Sequence, residues 1–293
     1  MYGDRPDMTD GMAATTTTQE AFCLIATQCC QAIDAHLAVV LGSELAIGPL
    51  KARVALRRLT TVLDAFGALI KQRRLRAIRH EGKTIFRLIG ILRDAEVRLE
   101  RIDAGPAQDR QARKVAETRA KLRQRLRRSN AVGYAPGLLA QIADESLFRS
   151  GKEAKALRAA ALDNYAALAL DAQWDICAAS AAPLMDGSAT PSLQHRFRKD
   201  AKALRYLSEF FAPLIPGEGA AAFRADMRDL QDALGVLTDA QITARPGKST
   251  VLLPTPDPAD AGVKAKQAWQ SILTRGPWWK APGAPGHAGS AVS

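Results

Sequence analysis

His195, Arg198, Lys202 and Arg205 follow one another at steps of three, four and three residues. On a helix of 3.6 residues per turn those steps confine all four side chains to an arc of about 80°. Arg53 and Arg57 form a shorter version of the same stripe, with Arg58 to one side and Lys51 to the other. Like charges stacked at i and i+4 repel by a few tenths of a kcal/mol per pair, so such a ladder calls for an external anion or for acidic neighbours. A phosphate chain is a natural anion for it. The plainer reading is pairing within the molecule to Asp64, Asp94, Glu209 or Asp239, which suits individual cations better than whole stripes. His195 alone reads as a routine histidine. One turn before Arg198 on a cationic stripe, it reads as a donor to an anion, and a nearby phosphate favours its charged form.

Catalytic signals are thin. Asp94 and Asp239 each follow a Gly and a Leu at fixed spacing, and two such carboxylates could form a general acid and base pair. No nucleophile, metal-ligand set or Gly-rich phosphate loop accompanies them, so each is expected to orient a basic side chain. Cys23, Cys29, Cys30 and Cys177 lack metal-ligand spacing and read as reduced, mostly buried thiols. No catalytic residue, metal or cofactor is expected.

The charge is concentrated. The chain of 293 residues is formally +11, with 41 Lys plus Arg against 30 Asp plus Glu. Residues 50–130 carry 23 basic and eight acidic side chains, while residues 1–49 carry one and six. A local field of that sign suits a polyanion, whose condensed counterions are released on binding. In residues 50–130 the aromatic residues are Phe66 and Phe86, both at apolar helix positions. Readers of single-stranded nucleic acid interleave stacking rings with their cations, so the segment fits phosphates without bases. Solvated helix faces are the competing account of such a charge run.

The elements that must position these residues are helical. At 47% apolar and 24% charged the composition is that of a globular chain. Apolar residues recur near every 3.6 positions, with no sustained strand-like alternation. Helices are expected at about 19–41, 49–67, 71–102, 107–128, 134–148, 152–179, 191–212, 219–243 and 259–274, with breaks at 103–106, 133–136, 182–191 and 215–219. Pro49 suits a first helical turn, as does Pro191 behind Thr190. Leu56, Leu59, Leu63 and Phe66, like Leu204, Leu207 and Phe211, form apolar stripes distinct from the cationic ones. Residues 1–18 and 276–293 read as mobile tails, and Glu44 interrupts the best candidate for a membrane span. Acidic residues near the start argue against a secretory signal, so a cytoplasmic protein is expected.

Displacing the chain by 145 residues superposes 50–97 on 195–242 without a gap, and 11 of 48 positions are identical. Chance supplies about three or four. The matches include Arg53 with Arg198, Phe66 with Phe211, Arg79 with Arg224, Gly90 with Gly235 and Asp94 with Asp239, and Lys83 corresponds to Arg228. Two helical halves related by duplication are inferred, about 19–148 and 152–245, followed by a C-terminal extension over 246–293.

Four blocks resemble the CHAD family, the conserved histidine α-helical domains: Arg53–Leu59, Leu88–Val97, His195–Tyr206 and Leu230–Asp239. The resemblance covers roughly residues 20–245. It implies two pseudo-symmetric four-helix bundles around a basic central channel that binds inorganic polyphosphate, in some members at polyphosphate granules. Carried over residue by residue, it assigns phosphate binding to Arg53, Arg57, Arg58, Arg93, His195, Arg198, Lys202 and Arg205. Leu50 stands where the family has its first-half histidine, and Thr60 where a basic residue often follows. Lys51, Arg79 and Lys83, with the second-half counterparts Arg224 and Arg228, complete the expected site. Nucleic acid is expected only as a non-specific competitor, membrane is not a partner, and granule surface proteins are further partners. The alternatives are a helical binder of nucleic-acid backbone, an enzyme acting on polyphosphate or a triphosphate, and an interaction scaffold.

Overall fold

The computed structural model describes residues 16–214, 218–243 and 257–280. Ten α-helices follow in order: α1 (Thr18–Gly42), α2 (Ile47–Ala65), α3 (Gln72–Leu99), α4 (Pro106–Arg128), α5 (Tyr134–Ala143), α6 (Lys152–Ala159), α7 (Leu162–Asp186), α8 (Pro191–Phe211), α9 (Glu218–Thr243) and α10 (Pro258–Arg275). The expected all-helical class holds for the described residues, which contain isolated bridges but no strand. They fall into two compact units, one over 19–159 and one containing 16–18 with the described residues from 160 onward.

In the first unit α3 packs between α2 and α4. Leu56, Leu59, Leu63 and Phe66 of α2 are buried as their spacing requires, and Phe22 of α1 meets Phe66 and Phe148 with ring centroids 5.7 Å away in each case. By length and composition α1 could cross a membrane, a property hidden when only uncharged runs are considered. Here it is a core helix that buries Phe22, Ile25, Cys29, Ile33, Leu37 and Val40.

In the second unit α8 packs between α7 and α9, and α9 carries α10 on another side. Leu204, Leu207 and Phe211 are again buried. The order of elements repeats: α7, α8, α9 and α10 begin 144, 144, 146 and 152 residues after α1, α2, α3 and α4. Thus α10 stands where α4 stands in the first series. The segment expected to be an extension supplies the fourth long helix of its unit.

Two expectations of local structure are corrected. The helix expected over 152–179 is two helices, because the chain is extended at 160–161. No Pro or Gly marks that break. It is set by Thr18 N donating to Ala160 O (2.9 Å), Leu162 N donating to Thr16 O (3.1 Å) and an antiparallel bridge from Thr17 to Ala161. Residues 16–18 are therefore tied down rather than part of a tail, and the division between units falls at 159/160 instead of near 150. α7 then runs through Pro183 and stops at Gly187, whose φ of 85° suits glycine. α5 ends at Ala143, short of the expected 148.

Trp278 and Trp279 are also ordered, 7% and 2% exposed. Trp174 of α7 meets Trp269 of α10 at 5.7 Å and Trp279 at 5.9 Å, and Phe197 of α8 meets Trp269 at 5.3 Å. Trp279 Nε1 donates to Asp171 Oδ1 at 2.7 Å. Tails over 1–15 and 281–293 and the break at 215–217 lie outside the described residues.

Candidate functional site

Each unit carries one cationic helix laid against a glycine of the long helix that follows it, and the first unit shows the arrangement in full. Phe86, Gly90 and Asp94 are spaced by four residues, so they share one stripe of α3. Arg53 of α2 lies along that stripe. Its guanidinium carbon sits 4.1 Å from the centre of the Phe86 ring, and Nη1 donates to Phe86 O at 3.3 Å. A Cβ added to Gly90 would overlap Nη1, so the guanidinium fits only because residue 90 lacks a side chain. Burial pushes the Arg53 pKa down from its ordinary value, Asp94 works against that shift, and the charges of Arg57 and Arg93 reinforce it. Asp94 thus acts electrostatically on Arg53. Arg57 also lies over this ring, its guanidinium carbon 5.2 Å from the centre.

The second unit repeats the central contact. Arg198 of α8 approaches Gly235 of α9, where an added Cβ would stand 3.4 Å from Nη2. The counterpart of Phe86 is Gln231, buried, with Nε2 donating to Ala201 O at 3.3 Å. The counterpart of Asp94 is Asp239, whose side chain lies outside the described residues. His195 is exposed at the start of α8, and Arg198 and Lys202 are half-buried along the same helix.

The remaining expected cations divide. Lys51 and Arg58 are half-buried on α2, Lys83 is exposed on α3, and on α9 Arg224 is half-buried and Arg228 exposed. Arg79, Arg93 and Arg205, expected to meet an external anion, are each paired with one of the protein's own carboxylates. Arg79 pairs with Asp64. Arg93 forms a two-pronged contact with Glu100, at 2.8 and 3.2 Å, and lies 3.7 Å from Glu96. Arg205 lies 3.5 Å from Glu209, one turn along the same helix. In each case the partner is close in sequence or on the adjoining helix.

One group of charges has a structural task that sequence reading did not identify. Arg119 of α4 is 3% exposed and Glu96 of α3 is 3% exposed, and Arg119 Nη2 donates to Glu96 Oε1 at 2.8 Å. Arg119 Nε also pairs with Glu44 at 2.8 Å, while Arg123 pairs with Glu44 at 2.9 Å and donates to Val40 O and Ser43 O. The two arginines satisfy carbonyl oxygens at the end of α1, whose last turn contains no basic residue. Burial raises the Glu96 pKa above its ordinary value, with Arg119 and then Arg93 pulling it back.

The thiols behave as the composition suggested. Cys29, Cys30 and Cys177 are buried and Cys23 is partly so. Burial pushes Cys23 up to about 11 and Cys29 and Cys30 up to about 12. These are inert thiols at neutral pH. Among the described residues no group of three or more His, Cys, Asp or Glu is placed to hold a metal ion.

Comparison with known proteins agrees with this architecture. The sequence profile of the CHAD domain matches residues 24–245. Among solved structures, the crystal structure of the CHAD domain from the plant Ricinus communis is similar at 20% identity and a TM-score of 0.65, covering 94% of this chain and 93% of that one. PptA from Streptomyces chartreusis is similar at 14% identity and a TM-score of 0.49, covering 89% of this chain and 96% of that one. No curated protein matches the chain at a significant level. The Ricinus likeness is one of fold.

Proposed function

Because the chain belongs to the CHAD domain family, we propose that it binds inorganic polyphosphate, without catalysing a reaction on it, through the cationic faces of α2 and α8. The observation that carries this reading is the paired seating of Arg53 on Gly90 and Arg198 on Gly235. At Gly90 the missing side chain, the Phe86 ring and the Phe86 carbonyl fix the guanidinium before any ligand arrives, which lowers the ordering cost of binding. Arginine held in this way offers a planar fork of donors to phosphate oxygens. Arg57 extends the face of Arg53 and His195 and Lys202 that of Arg198, while Lys51 and Arg58 lie on another side of α2, toward His36 and Cys29 of α1.

The ring content supports a ligand without bases. Phe66 is fully buried, and Phe86 is covered by Arg53 and Arg57, so neither offers a bare face to a nucleobase. Asp94, one turn beyond Gly90, serves as an electrostatic partner for Arg53 rather than as an acid or base. On this reading the protein works in the cytoplasm or at polyphosphate granules.

The test is a titration with long-chain polyphosphate at several salt concentrations, on wild type and on Arg53→Glu with Lys202→Glu. Wild type should bind with a steep salt dependence, since each phosphate contact releases counterions, and the double variant should lose affinity and slope together. Equal affinity in the two proteins overturns the residue assignment. Displacement of polyphosphate by duplex DNA at equal charge concentration overturns the ligand class, and phosphate release with Mg²⁺ overturns the non-catalytic reading.

A further inference from the structure

The densest unpaired charge in the described residues lies outside the site just considered, on the solvent side of α4. Nine of the 23 residues of α4 are basic, and two, Asp109 and Glu117, are acidic. Arg119 and Arg123 point inward to Glu44, Glu96 and the end of α1. The other seven are exposed, and none of them has a carboxylate partner among the described residues. Arg110, Lys114, Lys121, Arg125 and Arg128 fall within an arc of about 60° and extend for roughly 27 Å along the helix axis. That arc is opposite the buried Val115, Arg119, Leu122 and Leu126. Lys121, Arg127 and Arg128, with Ala120 and Gln124, also line a depression of about 380 Å³.

The counterpart helix shows that the scaffold does not require such a stripe. α10 has three cations, and all are engaged: Lys264 with Asp260 at 2.7 Å, Arg275 with Asp226 at 2.9 Å, and Lys266 donating to Met185 O at 3.4 Å. Five like charges along one face of α4 repel one another and are relieved by a linear anion laid along them. Residues 106–128 contain no aromatic side chain, and the arc is bordered by Glu117 and Gln124 on one edge and Thr118 on the other, so one carboxylate stands beside five cations. Nothing there would stack on a base or insert into a lipid layer.

We propose that the outer face of α4 is a second binding site for a linear phosphate chain, separate from the Arg53 and Arg198 faces. The inference rests on the polyphosphate reading for the chemistry of its ligand. A short oligophosphate meets only one or two of the five cations, whereas a long chain meets them all.

Amine acetylation of the full-length wild-type protein, read by mass spectrometry with and without long-chain polyphosphate, tests it directly. Lys114 and Lys121 should be protected by the long chain and much less by tripolyphosphate. The variant Lys114→Gln, Lys121→Gln, Arg125→Gln keeps helix-forming residues on an exposed face; it should weaken long-chain binding about tenfold and flatten the salt slope by roughly two. Protection that persists in Arg53→Glu with Lys202→Glu supports the outer site even where the assignment of the inner faces has failed. Unprotected lysines on a wild-type protein that still binds the chain overturn the outer site and leave the proposed function standing. No binding by wild type overturns both, and equal protection by duplex DNA overturns the phosphate-chain assignment.

Discussion

The guanidinium of Arg53 occupies the space that a side chain on Gly90 would fill, so the two positions are mutually dependent. The same dependence links Arg198 and Gly235, 145 residues later, but with more room, since an added Cβ there would make an ordinary contact at 3.4 Å. Both glycines lie inside helices, where alanine is the better helix former by roughly 1 kcal/mol. The presence of Gly90 is explained by the arginine it accommodates, whereas at Gly235 a methyl group would fit beside Arg198.

Gly90→Ala should therefore separate stability from binding. The methyl group displaces the far end of a flexible side chain, so the melting temperature should be unchanged or slightly raised. Arg53 loses its seat and polyphosphate affinity should fall several-fold. Gly235→Ala should leave affinity within about twofold, because its contact is not an overlap. Isothermal titration alongside thermal denaturation checks both, and equal losses in the two variants would contradict the geometry.

Much of this was legible in the sequence and some of it could not be. The helices around Pro49 and Thr190–Pro191 were readable because caps and apolar stripes act locally, and Thr190 does accept from Leu193 N. The recurrence of Gly90 and Gly235 at one offset marked the seats without saying what they hold. By contrast, the break at 160–161 is imposed by backbone bonds to 16–18, more than 140 residues away in sequence, and no local residue announces it. The pairings of Arg79 with Asp64 and Arg119 with Glu96 likewise depend on how helices pack. Charge counting sees a surplus; only packing shows which cations are already used.

His195 offers a pH-dependent test on the second unit. It is exposed one turn before Arg198, where a bound phosphate would favour the imidazolium. Affinity for polyphosphate should rise as pH falls through the ordinary histidine range near about 6.5. In His195→Ala that rise should flatten while binding at high pH is nearly unchanged. An identical pH profile in both proteins would remove His195 from the site.

The Arg119 and Glu96 pair makes a prediction of stability with a definite sign. Removing Arg119 leaves a carboxylate buried without its main partner, a change that typically costs about 3–5 kcal/mol. Burial already raises the Glu96 pKa above its unfolded value, and loss of Arg119 raises it further. A raised folded pKa means that the native state binds more protons than the unfolded chain, so stability falls as pH rises through that window. Arg119→Met should accordingly be less destabilised at about pH 5 than at about pH 8, as read by urea denaturation at both. A pH-independent loss would show that the capping of the α1 carbonyls, rather than the ion pair, dominates.

Residues beyond 245 extend past the matched family region, yet the packing makes them part of the second unit's core. Trp269 is 1% exposed and lies against both Trp174 and Phe197, so truncating it removes shared contact among three rings on three helices. Trp269→Ala should cost about 3–5 kcal/mol. Deleting 246–293 removes Trp278 and Trp279 as well and uncovers Trp174, Phe197 and Phe223, a contiguous apolar surface of the kind that drives association. The truncated protein should aggregate or show a transition in which 160–245 unfolds at lower denaturant than 19–159, whereas Leu168→Ala, at an exposed position on α7, should change stability little. Hydrogen exchange resolved by segment measures the difference, and a truncated chain with full protection in α8 and α9 would show that α10 is only attached to a unit already complete.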